Sequence, residues 1–586
     1  MRNHIFAPMV FAAALFSPAA AVAQPTDYYR PPLDIPVYLS ANFGEIRVNR
    51  FHTGIDIKTG GVTGKPLHAA ADGHIARVTV APAGYGRALY VAHPNGTTTV
   101  YAHMDRFTPE IEEYLRAERY RQKRSDIDAF PDAGLFPVKQ GDRIGFAGNS
   151  GSSSGPHLHF EVRQSSSSRT LNVMTRGWVT TAAEDTTPPR IVRLHHIDVD
   201  TMAGVPVHSR PRSHEVKLNV DGSYSLARAL PLKAGPNSWF AIEATDRRDD
   251  VTNTFGIRSA RLTVDGDERV VFDKDGLLFD ENRYACASVL YPVQRNARWG
   301  HEAVALAMRG NNRLGMYKKA TGRGAITFGR AAEPEAPKNI RIDVEDDAGN
   351  ISTLTFAVEP DPAYVPQPRP AGRATSPYGI VHSADGLSVS IPGEALYEPM
   401  FYTQEAVTPA VAPRADSIRP LSPIYRTGDG TSPLHSAMRI GIAAADLPAT
   451  LRPRAGLASI SAAGNLSWAG GTWSNGSVNG TARDFGTFCV VADAVAPTVR
   501  ASFADGADLS RTAGITLTAT DNFSGIASYT GSIDGEWIIF ERQASRGQYI
   551  HTFDTERLRA GGSHTLEFTV RDGAGNTATL RRTFRK

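Results

Sequence analysis

Cysteine is nearly absent from this chain. Its 586 residues hold only Cys286 and Cys489. That excludes a thiolate-bound metal, and two cysteines so far apart are expected to be buried thiols in different domains and not a pair, even in an oxidising compartment. An excess of either charge is missing too. The 63 Lys and Arg against 60 Asp and Glu leave a formal net charge of +3, and no basic cluster of the kind nucleic acid requires is present, so no nucleic-acid partner is expected. Beyond the first residues no apolar run is long enough to span a membrane. Three catalytic signatures are also lacking. There is no His-Glu-x-x-His helix, the Gly- and Ser-rich loop 148–155 runs into a strand without the Lys-Ser/Thr of a phosphate loop, and Gly148-Asn149-Ser150-Gly151-Ser152 is not the Gly-x-Ser-x-Gly of a serine nucleophile. The glycines of this loop are expected to line a cleft, letting an extended peptide approach the backbone.

At the N-terminus Arg2, an apolar run over 7–16 and Ala21-Val22-Ala23 before Gln24 have the layout of a secretory signal peptide, expected over 1–23. The chain is therefore expected to be secreted across the cytoplasmic membrane and to work in the periplasm or outside the cell. No Cys follows the cleavage point, so no lipid anchor is expected there. At ordinary domain sizes, 586 residues make three or four domains.

The residues with chemistry lie between 52 and 159. His52-Thr53-Gly54-Ile55-Asp56 opens the set and His157-Leu158-His159 closes it. A catalytic zinc takes three protein ligands from His, Asp, Glu and Cys and keeps a fourth position open; His52, Asp56 and one of the two closing histidines fill that list. Over 157–162 polar and apolar residues alternate, the pattern of a half-buried strand with Leu158, Phe160 and Val162 inward. His157 and His159 then share the solvent face about 6.6 Å apart, so one can bind metal while the other reaches water or substrate. On a straight strand His52 and Asp56 would stand about 13 Å apart, too far to share an ion, and Gly54 is expected in a bend. A fourth histidine comes from a hairpin, 87–93 and 97–103 around Pro94-Asn95-Gly96. With Asn95-Gly96 as a two-residue loop, Leu89, Val91 and His93 share a face with Thr98, Val100 and Ala102, and Tyr101 and His103 take the other; a longer turn using Pro94 changes that parity. This register excludes His93 from the site.

Five segments carry these residues: Phe51-His52-Thr53-Gly54-Ile55-Asp56-Ile57, Ala70-Ala71-Asp72-Gly73-His74-Ile75, Gly84-Tyr85-Gly86, Val100-Tyr101-Ala102-His103, and Gly148-Asn149-Ser150-Gly151 through Gly155-Pro156-His157-Leu158-His159-Phe160-Glu161-Val162. In order and context they resemble the lysostaphin-type (LytM-like) zinc metallopeptidases that cut peptidoglycan cross-links, over about residues 40–165. The resemblance implies one zinc ion per chain on His52, Asp56 and His159. It implies His103 and His157 as catalytic histidines, one taking a proton from water and the other hydrogen-bonding the oxyanion. One departure is an insertion over 108–136, where Thr108-Pro109 followed by Ile111, Tyr114 and Leu115 reads as a capped helix. It either flanks the substrate groove or is a solvated surface element without a role.

The fold expected is all-β: a lysostaphin-type antiparallel β peptidase domain at 30–180 with the helical insertion, then β-sandwich modules. Thr187-Pro188-Pro189 marks the boundary. Ala244-Thr245-Asp246 with Gly256-Ile257 and Asp265-Gly266 returns as Ala519-Thr520-Asp521 with Gly525-Ile526 and Asp534-Gly535, and Asp347-Ala348-Gly349-Asn350 returns as Gly573-Ala574-Gly575-Asn576. Two immunoglobulin-like modules, 187–358 and 496–586, explain the repeat. Between them 359–374, with five prolines by residue 370, reads as a semi-rigid linker, and 375–495 as a β domain of unknown type. Asp273-Lys274-Asp275-Gly276 lacks the full spacing of a calcium loop and reads as a turn. No clustered ligand set is visible beyond residue 180. The sandwich modules are thus expected to position the peptidase or hold a protein partner, and a fragment ending near residue 185 to keep the site's chemistry. The expected function is hydrolysis of peptide cross-links in bacterial peptidoglycan. The alternatives are a catalytically silent relative that binds the wall or activates another hydrolase, and a β-sandwich adhesin; the complete ligand set favours the enzyme.

Overall fold

The computed structural model describes residues 27–586 apart from 48, 229, 299, 330–335, 377–378, 416–417, 431, 555–556 and 559–560. The expected signal peptide, 1–23, lies outside the described residues. As the alternating patterns predict, the chain is built almost wholly from strands; among the described residues the α-helices are Pro109–Gln122 and the short Tyr291–Gln294. No helix of the described residues is long and apolar enough to cross a membrane.

In the N-terminal lobe seven strands run in the order Leu39–Ala41, Ile55–Lys58, His157–Gln164, Thr97–Ala102, Arg87–Ala92, Gly73–Val80 and Ile127–Ala129. Every neighbouring pair is antiparallel. A smaller sheet of Pro66–His68, Arg143–Ala147 and Met104–Phe107 shares its core, in which Leu67, Phe107 and Ile144 meet Leu158, Phe160 and Val162.

The hairpin register differs from the two-residue reading. Leu89 faces Tyr101 and Val91 faces Thr99, and His93 N–H donates to Thr97 O at 2.8 Å, so Pro94-Asn95-Gly96 is a three-residue loop. The added residue flips one strand's parity. Tyr101 therefore points into the core with Leu89 and Val91, and its hydroxyl accepts from Ala70 N–H at 2.7 Å. His93 bonds Thr99 Oγ1 on that same inner side, away from the site.

The insertion is not an idle surface element. Its helix buries Ile111 and Leu115 against the lobe and offers its outer face to the last module. Arg116 pairs with Asp554 at 2.6 Å, Arg119 with Glu541 at 2.8 Å, and the Tyr120 ring packs edge-on against Trp537.

The boundary near residue 187 is not a break in the core. One cluster of buried side chains runs from Tyr29 to Val358, and strand Thr170–Leu171 pairs with Gly276–Leu277 across the boundary. Lys274, read from sequence as part of a turn, is fully buried. Its ammonium donates to both oxygens of Glu302, at 2.8 and 2.6 Å, and to Ile257 O at 2.6 Å; Glu302 Oε1 also accepts Ile46 N–H at 2.7 Å. A fragment ending near residue 185 would bare this apolar surface.

Residues beyond the linker have cores of their own. Tyr364 Oη donates to Asp200 Oδ2 at 2.8 Å, strapping the proline-rich segment to the preceding strands. Two five-stranded sheets then enclose the core of Leu387 to Val490, and sheets of four and five strands enclose the core of Leu509 to Phe584. Cys286 and Cys489 are both buried and not bonded to each other.

Removing one member of a buried ion pair leaves an uncompensated charge, at a cost of about 3–5 kcal/mol. Glu302→Ala is expected to lower the unfolding free energy of the N-terminal lobe by that amount in denaturant titration, whereas exposed Glu405→Ala should change it by less than about 0.5 kcal/mol.

Candidate metal centre

Strand register brings the predicted donors together. Asp56 lies directly opposite His159 across one ladder, and Ala102, the residue before His103, lies opposite His159 across the other. His52 arrives through the expected bend at Gly54, just before strand Ile55–Lys58 begins. Only glycine fits there: a Cβ would stand 2.4 Å from Phe160 O and 2.7 Å from Glu161 Cγ. The outcome is three donor atoms at the corners of a small triangle. His52 Nε2 is 3.1 Å from Asp56 Oδ1 and 3.0 Å from His159 Nδ1, and the latter two are 2.9 Å apart. Ligands at 2.0–2.1 Å in tetrahedral array lie about 3.3 Å from one another, so the cluster is within a few tenths of an ångström of zinc geometry.

The proton positions fit a metal as well. His52 Nδ1–H donates to Asn42 O at 2.7 Å, leaving Nε2 bare. His159 Nε2–H donates to Glu161 Oε1 at 2.8 Å, leaving Nδ1 bare. Such outer partners fix the tautomer of a ligating imidazole. Without the ion, His159 is held protonated up to about 9: burial opposes its charge, but hydrogen bonds to Asp56 and Glu161 outweigh that. Asp56 sits well below its ordinary range, because His52, His157 and His159 together overcome the cost of its burial. Metal and proton thus compete for the same donors, which makes affinity fall as pH falls.

His103 and His157 flank the triangle without belonging to it. Their rings are 4.8 Å apart, and the His103 ring is 5.9 Å from that of His159. His103 follows the last residue of its strand with φ of 59°, a left-handed conformation that breaks the alternation and turns the imidazole into the site. Its Nδ1–H donates to Ser150 O at 2.9 Å. Burial, then the neighbouring rings of His159 and His157, push its pKa down to about 3, so it is neutral. His157 Nδ1–H donates to Gly155 O at 2.8 Å, and its Nε2 stands 3.5 Å from Asp56 Oδ1. The Gly-rich loop therefore does more than line a cleft. Its carbonyls orient both histidines, and Gly151 packs so tightly on Gly86 that a Cβ would meet Gly86 N at 2.4 Å.

Several partners were not singled out from sequence. Glu161 is 1% exposed, not on a solvent face, and its Oε1 accepts from His159, from Thr53 Oγ1 at 2.7 Å and from Tyr85 Oη at 2.6 Å. Arg163 Nε donates to its Oε2 at 2.6 Å. Burial works against the Glu161 charge, yet Arg163 and His159 bring its pKa below the carboxylate range. Strand alternation puts Glu161 and Arg163 on the face of His157 and His159, so this signal was present. Arg47, whose Nη2 lies 3.6 Å from Asp56 Oδ2, and Asn42 carried none.

Parts of the chain are similar to known proteins. Residues 50–118 match the family model for Peptidase family M23, and residues 379–493 that for a Zu5-like domain. The DD-carboxypeptidase/endopeptidase Mpg of Neisseria meningitidis serogroup B is 37% identical over 114 residues, 20% of this chain and 20% of that protein. An uncharacterized metalloprotease of Haemophilus influenzae is 32% identical over 112 residues, 19% of this chain and 18% of that protein. The chain thus matches about a fifth of the length of these relatives. Among solved structures, the catalytic domain of the prophage-encoded M23 protein EnpA from Enterococcus faecalis is 25% identical, covering 23% of this chain and 87% of that one with a TM-score of 0.18. Residues 50–118, which include His52 and Asp56, are thus similar to Peptidase family M23, and residues 379–493 to a Zu5-like domain.

Proposed function

We propose that this chain is a zinc-dependent endopeptidase that hydrolyses peptide cross-links of bacterial peptidoglycan, exported by its leader to the periplasm or the cell exterior. The observation that carries the reading is the donor triangle with two further imidazoles beside it, each already oriented by a backbone carbonyl. The relatives' DD-carboxypeptidase/endopeptidase name supports the substrate class.

His52, Asp56 and His159 would hold the metal. Bound there, zinc supplies a Lewis acid and lowers the pKa of water towards about 7. The remaining work belongs to the chain. In their neutral forms His103 and His157 carry the proton on Nδ1, committed to Ser150 O and Gly155 O, and so present a bare Nε2 as acceptor. One takes the proton of the attacking water at Nε2 and, once charged, can donate it to the leaving amine; the other steadies charge at the scissile carbonyl only in its doubly protonated form, in which Nε2–H is a donor. Burial of His103 keeps it neutral and ready to accept.

Incubation of the zinc-loaded protein with purified peptidoglycan should release muropeptide fragments newly cut at a peptide bond, identified by mass spectrometry. Release of nothing from any wall type, with binding retained, would establish the silent relative instead.

His103→Ala and His157→Ala should each retain one zinc by elemental analysis while losing about 10²- to 10⁴-fold in rate. His159→Ala and Asp56→Ala should lose the metal; full zinc content in both would show the ligands to be wrong. Glu161→Gln replaces an acceptor-only carboxylate with an amide, and its zinc affinity is expected to fall about 10- to 100-fold in chelator competition.

A further inference from the structure

Outside the metal centre, the structure gathers carboxylates that the sequence reading did not. Asp185 stands where the chain leaves the N-terminal lobe, Asp246 near the end of strand Asn237–Arg247, and Asp346 at the turn between strands Lys338–Glu345 and Ile351–Pro360. One carboxylate oxygen of each lies within 4.8 Å of the other two, and all three residues are buried. This overturns the expectation that no ligand set occurs beyond residue 180.

The three are not equally satisfied. Asp346 is fully engaged: Oδ1 accepts Ala348 N–H at 2.8 Å and Asn350 N–H at 2.9 Å, and Oδ2 accepts Asn350 Nδ2 at 2.9 Å. Asp185 Oδ1 accepts Thr187 N–H at 3.4 Å, while its Oδ2 has no hydrogen bond and only Arg248 Nη1 at 3.4 Å. Asp246 is 3% exposed and its Oδ1 has no partner at all. An ionised carboxylate so placed is costly unless something positive joins it. Arg248 cannot serve all of them, since it also approaches Asp250 Oδ1 at 3.7 Å, another buried oxygen without a hydrogen bond. Arg258, on the wall of the same cavity, is engaged by Asp273 and Glu345.

We infer that Asp185, Asp246 and Asp346 hold a calcium ion where the chain passes from the N-terminal lobe into the first sandwich. The donors are hard oxygens with no His or Cys among them, which suits calcium and not zinc. Calcium–oxygen bonds of 2.3–2.6 Å allow two ligands to stand up to about 5 Å apart, and the three oxygens, all within 4.8 Å of one another, can therefore reach one ion. An adjoining cavity of about 570 Å³, lined by Thr181, Asp185, Arg248 and Asp347 among others, gives the ion and its waters a way in. Without the ion Asp246 is pushed up to about 9, by burial first and then by Asp346 and Asp185; the ion removes the cause. The last module repeats the arrangement with Asp493, Asp521 and Asp572 within the same 4.8 Å. There Asn576 repeats the bonds of Asn350, its Nδ2 donating to Asp572 Oδ2 and Asp493 O as Asn350 Nδ2 does to Asp346 Oδ2 and Asp185 O. A constellation kept through an internal duplication, with one buried carboxylate oxygen lacking a hydrogen bond, has the marks of a ligand site and not of a packing accident.

The test uses the full-length, zinc-loaded chain in calcium-depleted buffer, titrated with CaCl₂ by calorimetry and followed in parallel by thermal denaturation. Calcium should bind and raise the Tm of the wild type by at least about 2 °C at millimolar concentration. Asp246→Asn, close in shape and unable to supply the charge, should lose one bound equivalent while zinc content stays at one per chain. Absence of calcium uptake by the wild type, or an unchanged stoichiometry in Asp246→Asn, would overturn the inference. If Asp246→Asn does not fold, the wild-type titration decides alone, and a Tm that does not respond to CaCl₂ sinks the site.

Discussion

The candidate centre depends on where one proton sits. His159 can present Nδ1 to a metal only while its proton stays on Nε2, and Glu161 is the acceptor that keeps it there. A carboxylate buried to this degree would ordinarily pick up a proton and lose that ability. Arg163, Thr53 and Tyr85 prevent it, filling the remaining lone pairs from three directions. Tyr85 remains a phenol, since burial and then the Glu161 charge hold its pKa far above the ordinary value. Four side chains outside the donor triangle thus set the state of a single ring.

The second constraint lies at the seam. Against a well-packed apolar substitute a buried ion pair contributes little net stability, but it fixes geometry because each charge must find its partner. Lys274 and Glu302 lie beyond residue 187, yet Glu302 also binds Ile46 N–H and Lys274 presses on Gly44, where a Cβ would meet its Cδ at 2.7 Å. Gly44 N–H in turn donates to His52 O, and His52 N–H to Glu45 O. Asn42, whose carbonyl orients His52, donates its own amide to Gly256 O at 2.8 Å. Residues beyond 187 therefore shape the segment that carries His52, and the two halves share one core.

What could be read from residues alone follows from how local the cause is. The all-β character, the strand at 157–162 and the bend at Gly54 are short-range consequences of alternation and geometry, and the structure shows them. The hairpin parity failed by one residue because Pro94 joined the turn, a choice settled by His93 reaching Thr99 inside the core. Lys274 looked like a turn because its partner is 28 residues away. The carboxylate triad at Asp185, Asp246 and Asp346 spans 161 positions, the difference of its end numbers, and no spacing rule reaches so far; only the repeat of Ala-Thr-Asp hinted at it. The role of helix Pro109–Gln122 was equally hidden, since it is defined by a surface that arrives more than 400 residues later, through pairs such as Arg119 and Glu541.

That late surface reaches close to the candidate site. Glu541 binds Arg87 at 3.0 Å as well as Arg119, and the Arg87 amide donates to Ser150 Oγ at 2.9 Å. Ser150 is the residue whose carbonyl orients His103. A chain of contacts from the last module to an imidazole is not in itself coupling, which requires an element with two states that both ends bias. Along these contacts Arg87 is buried, Gly86 and Gly151 pack backbone to backbone, and Ser150 is bonded on both sides. What the last module supplies is a fixed outer wall for the loop that holds His103. Rigidity of that kind suits a group that must sit within a few tenths of an ångström of its working position while carrying a left-handed backbone, a conformation that a loosely held residue would abandon.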